Sequence, residues 1–210
     1  MKYDEVKIIL DDWDYKDSEE YLEALHNRKI WDNLNHLSDQ ECRGSVLTFL
    51  NLWKCRISYH RSNKLAKSCK RAHVFLSALK HENLLELNLF KKVRVRNERI
   101  EVYKVILKIF DILSEVQHVK ATAASKIMHL ANPNLFVMWD DQIAENYGYS
   151  GNSAGYVNFL MRMKVEASKM EKEYSRDKKV KVPLTRLLDI YNWKHKDDWK
   201  IENTFEGETV

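Results

Sequence analysis

Lys120-Ala-Thr-Ala-Ala-Ser-Lys-Ile-Met-His-Leu130 runs straight into Ala131-Asn-Pro-Asn-Leu-Phe-Val-Met-Trp-Asp-Asp-Gln-Ile-Ala-Glu-Asn-Tyr147. The first segment reads as a helix of small residues. Asn132-Pro133 ends it, because proline lacks a backbone donor and disfavours helix in the residue before it. A short apolar run, Leu135 to Trp139, then delivers Asp140 to the start of the next helix. This sets a carboxylate at a helix N-terminus, close to the start of the preceding helix. Such an arrangement can serve nucleic-acid chemistry, and it can equally be an N-cap.

The flanking segments are helical too. Glu98 to about His118 is the clearest helix: its polar positions Lys104, Lys108, Asp111 and Glu115 form one narrow stripe, and nearly everything else is apolar, the pattern of a central core helix. Beyond the Asp140 helix (about 140–148) come the loop Gly148-Tyr-Ser-Gly-Asn-Ser153, a long helix from Ala154 to about Arg176, the basic linker Lys178-Lys-Val-Lys-Val-Pro183, and a last helix through Trp193. Pro183 suits the first turn of that helix; the tail beyond Trp199 is polar and frays. Toward the N-terminus, Asn63 to Lys80 puts Leu65, Cys69, Ala72, Leu76 and Leu79 on one face. Ser38-Asp-Gln-Glu41 is a capping box opening a helix with Val46, Phe49, Leu50 and Trp53 inward. Asp17-Ser-Glu-Glu20 begins a helix through about Leu34, with acids in its first turn where the dipole favours them. Lys2 to Asp12 is open between helix and strand. Glu82 to Phe90 reads as a short helical connector, and Val93-Arg-Val-Arg96 as at most a strand fragment.

Composition points the same way. A chain of 210 residues with 44% hydrophobic and 31% charged residues can build one good-sized core. Its 5 Gly and 2 Pro are too few for the turns of an all-β fold. The expected fold is therefore all-α, one helical domain over 1–210, with one lobe of central helices (roughly 38–130) and a second lobe (1–37 plus 131–200). Cys42, Cys55 and Cys69 are widely spaced with no CxxC pair, so free thiols are expected and no metal site or cofactor is implied. The N-terminus has no apolar signal region and no stretch is long enough to span a bilayer, so the expected location is cytoplasmic.

Net charge is only +4, but it is unevenly spread. Between Glu41 and Glu82 there is no acid and there are nine Lys/Arg: Arg43, Lys54, Arg56, Arg61, Lys64, Lys67, Lys70, Arg71 and Lys80. Such a zone attracts phosphate far more than the net charge suggests.

The order helix, short connector, small-residue helix, apolar run, Asp, helix resembles the helix-hairpin-helix DNA glycosylases of the endonuclease III type. Val119-Lys-Ala-Thr122-Ala123 stands where that family has Val-Gly-x-Thr-Ala, and Met138-Trp-Asp140-Asp-Gln-Ile143 where it has Val-Asp-x-x-Val. The run from Ala124 to Asp140 is closer still to small uncharacterised prokaryotic relatives of those glycosylases. The resemblance covers about 100–160. It implies a two-lobed helical globule with a cleft, and a base-excision glycosylase or lyase acting on a flipped base. It also implies a nucleic-acid partner, DNA before RNA. Two departures stand out. The family hairpin uses glycines so that backbone amides approach a phosphate, and here those places hold His118 and Lys120. The Schiff-base lysine of bifunctional members falls at Ala121, with Lys120 one residue earlier and Lys126 further along.

Each candidate has two readings. Asp140 is a carboxylate supporting glycosidic-bond cleavage, or an N-cap; Asp141 beside it forms a carboxylate pair, or is a first-turn acid favoured by the dipole. Lys120 and Lys126 are a nucleophile, phosphate contacts, or plain surface lysines. Trp139 stacks on a base or belongs to the core. Gln142 and His118 stand where the family meets DNA, and Arg56, Arg61 and Lys64 would grip its backbone. The alternative function is a non-catalytic helical module of the same fold that binds nucleic acid or a protein partner.

Overall fold

The 3.6-residue periodicities do become helices, and they gather around the one that is apolar on most of its circumference. A computed structural model describes residues 1–11, 15–177 and 179–196. In chain order it has α1 (Tyr3–Asp11), α2 (Tyr15–His26), α3 (Arg28–Trp31), α4 (Asp39–Glu41), a π-helical segment Cys42–Leu47 and α5 (Thr48–Leu52). Then follow α6 (Ser62–Ala78), β1 (Lys92–Val95), β2 (Glu98–Glu101), α7 (Val102–Ser114), α8 (Ala121–Ala131), α9 (Asp141–Asn146), α10 (Ser153–Arg176) and α11 (Leu184–His195), with 3-10 turns at Leu34–His36 and Tyr59–Arg61.

The protein is mostly helical. α7 lies at its centre, packed on α6, α8 and α10. It buries Val102, Val105, Ile106, Ile109, Phe110, Ile112 and Leu113, and full burial of each such side chain is worth about 1.5–3 kcal/mol. Buried apolar residues from Val6 to Leu188 form one cluster, so the segments 38–130 and 131–196 share a core. α1 closes that core from the other side, against α10 and α11. The Ser38 capping box is present, with both reciprocal bonds to Glu41. Cys42, Cys55 and Cys69 are free; burial pushes the Cys42 thiol up to about 12. No described helix is long and apolar enough to cross a membrane.

Three sequence expectations are corrected. The long helix begins at Val102, not Glu98, and ends at Ser114, short of His118: Glu98–Glu101 is instead β2, paired antiparallel with β1 around the turn Arg96-Asn97. Val93, Val95 and Ile100 turn inward from this ribbon, and that tertiary burial overrides helical propensity. Glu82–Phe90 is not helical. Asn83 Oδ1 takes the Glu86 amide at 2.9 Å and Asn88 Oδ1 the Phe90 amide at 3.0 Å, the local competition by which asparagine displaces helix. The helix expected through Leu34 stops at His26 and breaks at Asn27. After the break Arg28 reaches across the fold to the Leu130 carbonyl at 2.7 Å and the Ala131 carbonyl at 3.2 Å, closing the C-terminus of α8. Lys2–Asp12, open on sequence, is helical over Tyr3–Asp11. The tail beyond Trp199 lies outside the described residues.

Candidate nucleic-acid interface

The α7–α8 connection is a tight hairpin. Val119 N–H donates to the Val116 carbonyl at 2.8 Å, and His118, third residue of that turn, has φ +71°. This is left-handed backbone, which glycine adopts freely and other residues only at about 1–2 kcal/mol. The turn therefore closes with a histidine where the resemblance expects glycine, and His118 is exposed. Buried Val119 anchors the turn. Lys120 follows as the N-cap residue of α8, extended and exposed, making no side-chain cap.

Two side chains stitch the apolar run 135–139 onto α8. Ser125 Oγ accepts the Trp139 amide at 3.2 Å and donates to the Thr122 carbonyl at 2.9 Å. His129 Nδ1 lies 2.7 Å from the Phe136 carbonyl, and its Nε2 lies 2.9 Å from the Tyr21 hydroxyl. A carbonyl only accepts, so the ring proton sits on Nδ1 and Nε2 accepts from the phenol. Burial depresses the His129 pKa to about 3, which keeps the ring neutral. These bonds fix where the chain leaves Trp139 and place Asp140 beside the first turns of α8.

Asp140 is both cap and candidate. Its Oδ1 accepts the Ile143 amide at 2.9 Å, satisfying an orphan donor of α9. Its Oδ2 lies 3.7 Å from Lys196 Nζ, and the side chain is 27% exposed. One carboxylate oxygen is thus engaged by the backbone and the other faces a cation, in a side chain that is partly exposed. Lys196 went unnoticed in the sequence because it lies 56 positions away, brought back by the end of α11. The Lys196 carbonyl also accepts from Gln142 Nε2 at 3.2 Å and Asn146 Nδ2 at 2.6 Å. Gln142 is thereby held as a clamp on α11. Asp141 is exposed in the first turn of α9.

Two candidates have structural employment. Trp139 is 1% exposed and packs edge-on to Phe110 and Tyr156 and against Phe159, so it belongs to the core and offers no face to a base. Lys126 Nζ donates to the Trp53 carbonyl at 2.8 Å, lies 3.7 Å from Cys55 Sγ and sits over the Trp53 ring. It closes the C-terminus of α5, so of the two candidate lysines Lys120 is the one that no described carboxylate pairs with.

Tertiary structure gathers the cations at one end. Ser68 and Arg71 of α6 both bond Glu115 just past the end of α7, and Asn132 past the end of α8 bonds the Leu79 carbonyl past the end of α6 at 2.7 Å. Hence α6 runs antiparallel to α7, and the N-terminal ends of α6 and α8 lie on the same side as the hairpin turn. Arg61, Lys64 and Lys67 therefore lie toward the same end of the fold as His118 and Lys120. The Lys126–Trp53 bond brings the loop 53–57 to the same region. Asn51 pins that loop: its Nδ2 donates to the Ile57 carbonyl at 2.8 Å and its Oδ1 accepts the Ile57 amide at 2.7 Å. Within it Lys54 and Arg56 take φ +61° and +52° and are exposed. Among the described residues, no carboxylate pairs with Lys54, Arg56, Arg61, Lys64, Lys67 or Lys120. Two positive helix ends and these side chains make an anion-attracting surface. Among the described residues no group of three or more His, Cys, Asp or Glu is placed to hold a metal.

Compared with protein families, curated proteins and solved structures, the chain matches none of them.

Proposed function

We propose that this protein binds DNA through the basic end and is a helix-hairpin-helix base-excision glycosylase in which Asp140 supports cleavage of the N-glycosidic bond of an extruded base. The observation that carries this reading is the stitching of Trp139 to Ser125. It holds a partly exposed carboxylate beside α8, the helix that starts at the end of the fold where the unpaired cations gather. A carboxylate so placed can stabilise the positive charge that develops on the sugar and orient the attacking water. Lys120 is then the phosphate contact or the lyase amine, since Lys126 is engaged by Trp53.

Asp140→Asn is the test, because asparagine keeps the cap on α9. With duplexes carrying uracil, 8-oxoguanine or an abasic site, the wild type cleaves one of them and Asp140→Asn loses at least about 100-fold in rate with melting unchanged. Borohydride trapping lost in Lys120→Ala identifies the lyase amine. A second reading, a DNA-binding module without catalysis, is favoured by one observation: His118 and Lys120 replace the residues that let backbone approach phosphate. Salt-sensitive duplex binding with no cleavage of any of these substrates selects it. Absence of binding at low salt overturns both.

A further inference from the structure

The β1–β2 ribbon carries a charge pattern that folding alone does not explain. Its register sets Arg94 directly opposite Arg99, and both are exposed. Side chains so paired have Cβ atoms about 4.5–5.5 Å apart, and like charges there destabilise the sheet. Arg96 occupies the turn at φ +54°, a strained conformation for a residue that carries a Cβ. No described carboxylate pairs with Arg94, Arg96 or Arg99. The inward residues Val93, Val95 and Ile100 already secure the ribbon, so the three guanidinium groups are free to serve another purpose.

These groups continue the basic end. Between ribbon and helices lies a cleft of about 460 Å³, lined by Arg96 and Glu98 from the ribbon, Arg71 and Phe75 from α6, and Lys108 and Ile112 from α7. On α6, Lys64, Lys67 and Arg71 recur at three- and four-residue spacing, hence on one helix face. Arg71 is paired with Glu115 and Glu98 lines the cleft, so the cations of this face that no described carboxylate pairs with are Lys64 and Lys67 on α6, Lys108 at the cleft and the ribbon arginines. Along α6, Lys64 and Phe75, the latter lining the cleft beside Arg96, stand about 16 Å apart. A duplex carries about ten phosphate charges over that length, and a two-stranded ribbon fits its major groove.

We propose that the ribbon is a second DNA contact, in which Arg94, Arg96 and Arg99 bind backbone phosphates of duplex flanking the site at the basic end; this rests on the nucleic-acid reading above. Phosphate oxygens between Arg94 and Arg99 supply the counter-charge that the protein itself omits, and arginine suits them by its forked donors.

The test is duplex binding by the full chain, measured across about 50–200 mM salt with a duplex of about 30 base pairs. The combined variant Arg94→Ala, Arg96→Ala, Arg99→Ala should bind with a log–log salt slope less steep by about two to three, near one per phosphate contact. The matching Arg→Lys triple should keep the slope. Should the alanine triple melt early, Arg94→Ala and Arg99→Ala singly each carry about one unit of slope. Wild-type affinity and slope in the alanine variants overturn the ribbon contact and leave the basic end standing. Loss in the ribbon variants with unchanged binding in Lys64→Ala, Lys120→Ala overturns the basic end and leaves the ribbon. No binding of wild type at about 50 mM salt overturns both.

Discussion

Lowering the pH should weaken this protein through one buried ring. His129 is fully buried, donates from Nδ1 to the Phe136 carbonyl and accepts from Tyr21 at Nε2, so both nitrogens are committed to the neutral form. Burial, with Arg186 and Arg28 adding repulsion, holds its folded pKa near about 3 against 6.5 for the free side chain. The unfolded chain takes up a proton below 6.5 while the folded chain does not. Stability from this group is therefore complete above pH 6.5 and is lost as pH falls from there toward about 3. The slope is about 1.4 kcal/mol per pH unit, so about 2 kcal/mol disappears between neutral pH and pH 5. Denaturant unfolding of wild type and His129→Gln at each pH isolates the effect. Glutamine does not titrate, and the surface histidines and carboxylates cancel in the difference. His129→Gln should be the weaker protein at pH 7.5, by about 1–3 kcal/mol for a buried partner left unpaired. The gap should narrow by about 2 kcal/mol at pH 5. A gap that stays constant over this range refutes the neutral, doubly bonded ring, as does a His129 ring resonance that titrates near 6.

Two further outcomes are expected. His118→Gly relieves the left-handed strain and should raise Tm by about 1–4 °C, strain relief exceeding the added freedom of the unfolded chain; calorimetry showing a lower Tm would mean the imidazole has a partner holding the turn. Ser125→Ala leaves the buried Trp139 amide without an acceptor and should cost about 1–3 kcal/mol in denaturant unfolding, while lowering cleavage by loosening Asp140; a loss under about 0.5 kcal/mol would show that the stitch does not hold the 135–139 run.

Most helices were legible from periodicity and from local stop signals, whereas the ribbon at 92–101, the non-helical 82–90 and the break at Asn27 were not. The capping box at Ser38, the Asn132-Pro133 stop and the apolar circumference of α7 depend on residues a few positions apart, and each appears where expected. The site was legible only in part. Asp140 at an N-cap is a local fact. The employment of Trp139 in an aromatic cluster and of Lys126 at the end of α5 is set by partners 17 to 73 positions away, which no spacing rule reaches. Lys196 and the ribbon arginines were missed for the same reason.

What the amino-acid order determined by itself is the helical class, the helix boundaries near strong caps and stops, and an acid-free interval of cations. These follow from backbone sterics and from hydrogen bonds closed within a turn or two. Tertiary structure alone decided which cations share a surface, which carboxylate oxygen faces a cation, and that 92–101 is a ribbon. Each of these depends on the antiparallel packing of α6 on α7 and on burial against remote chain, where contacts distant in sequence outweigh local preference.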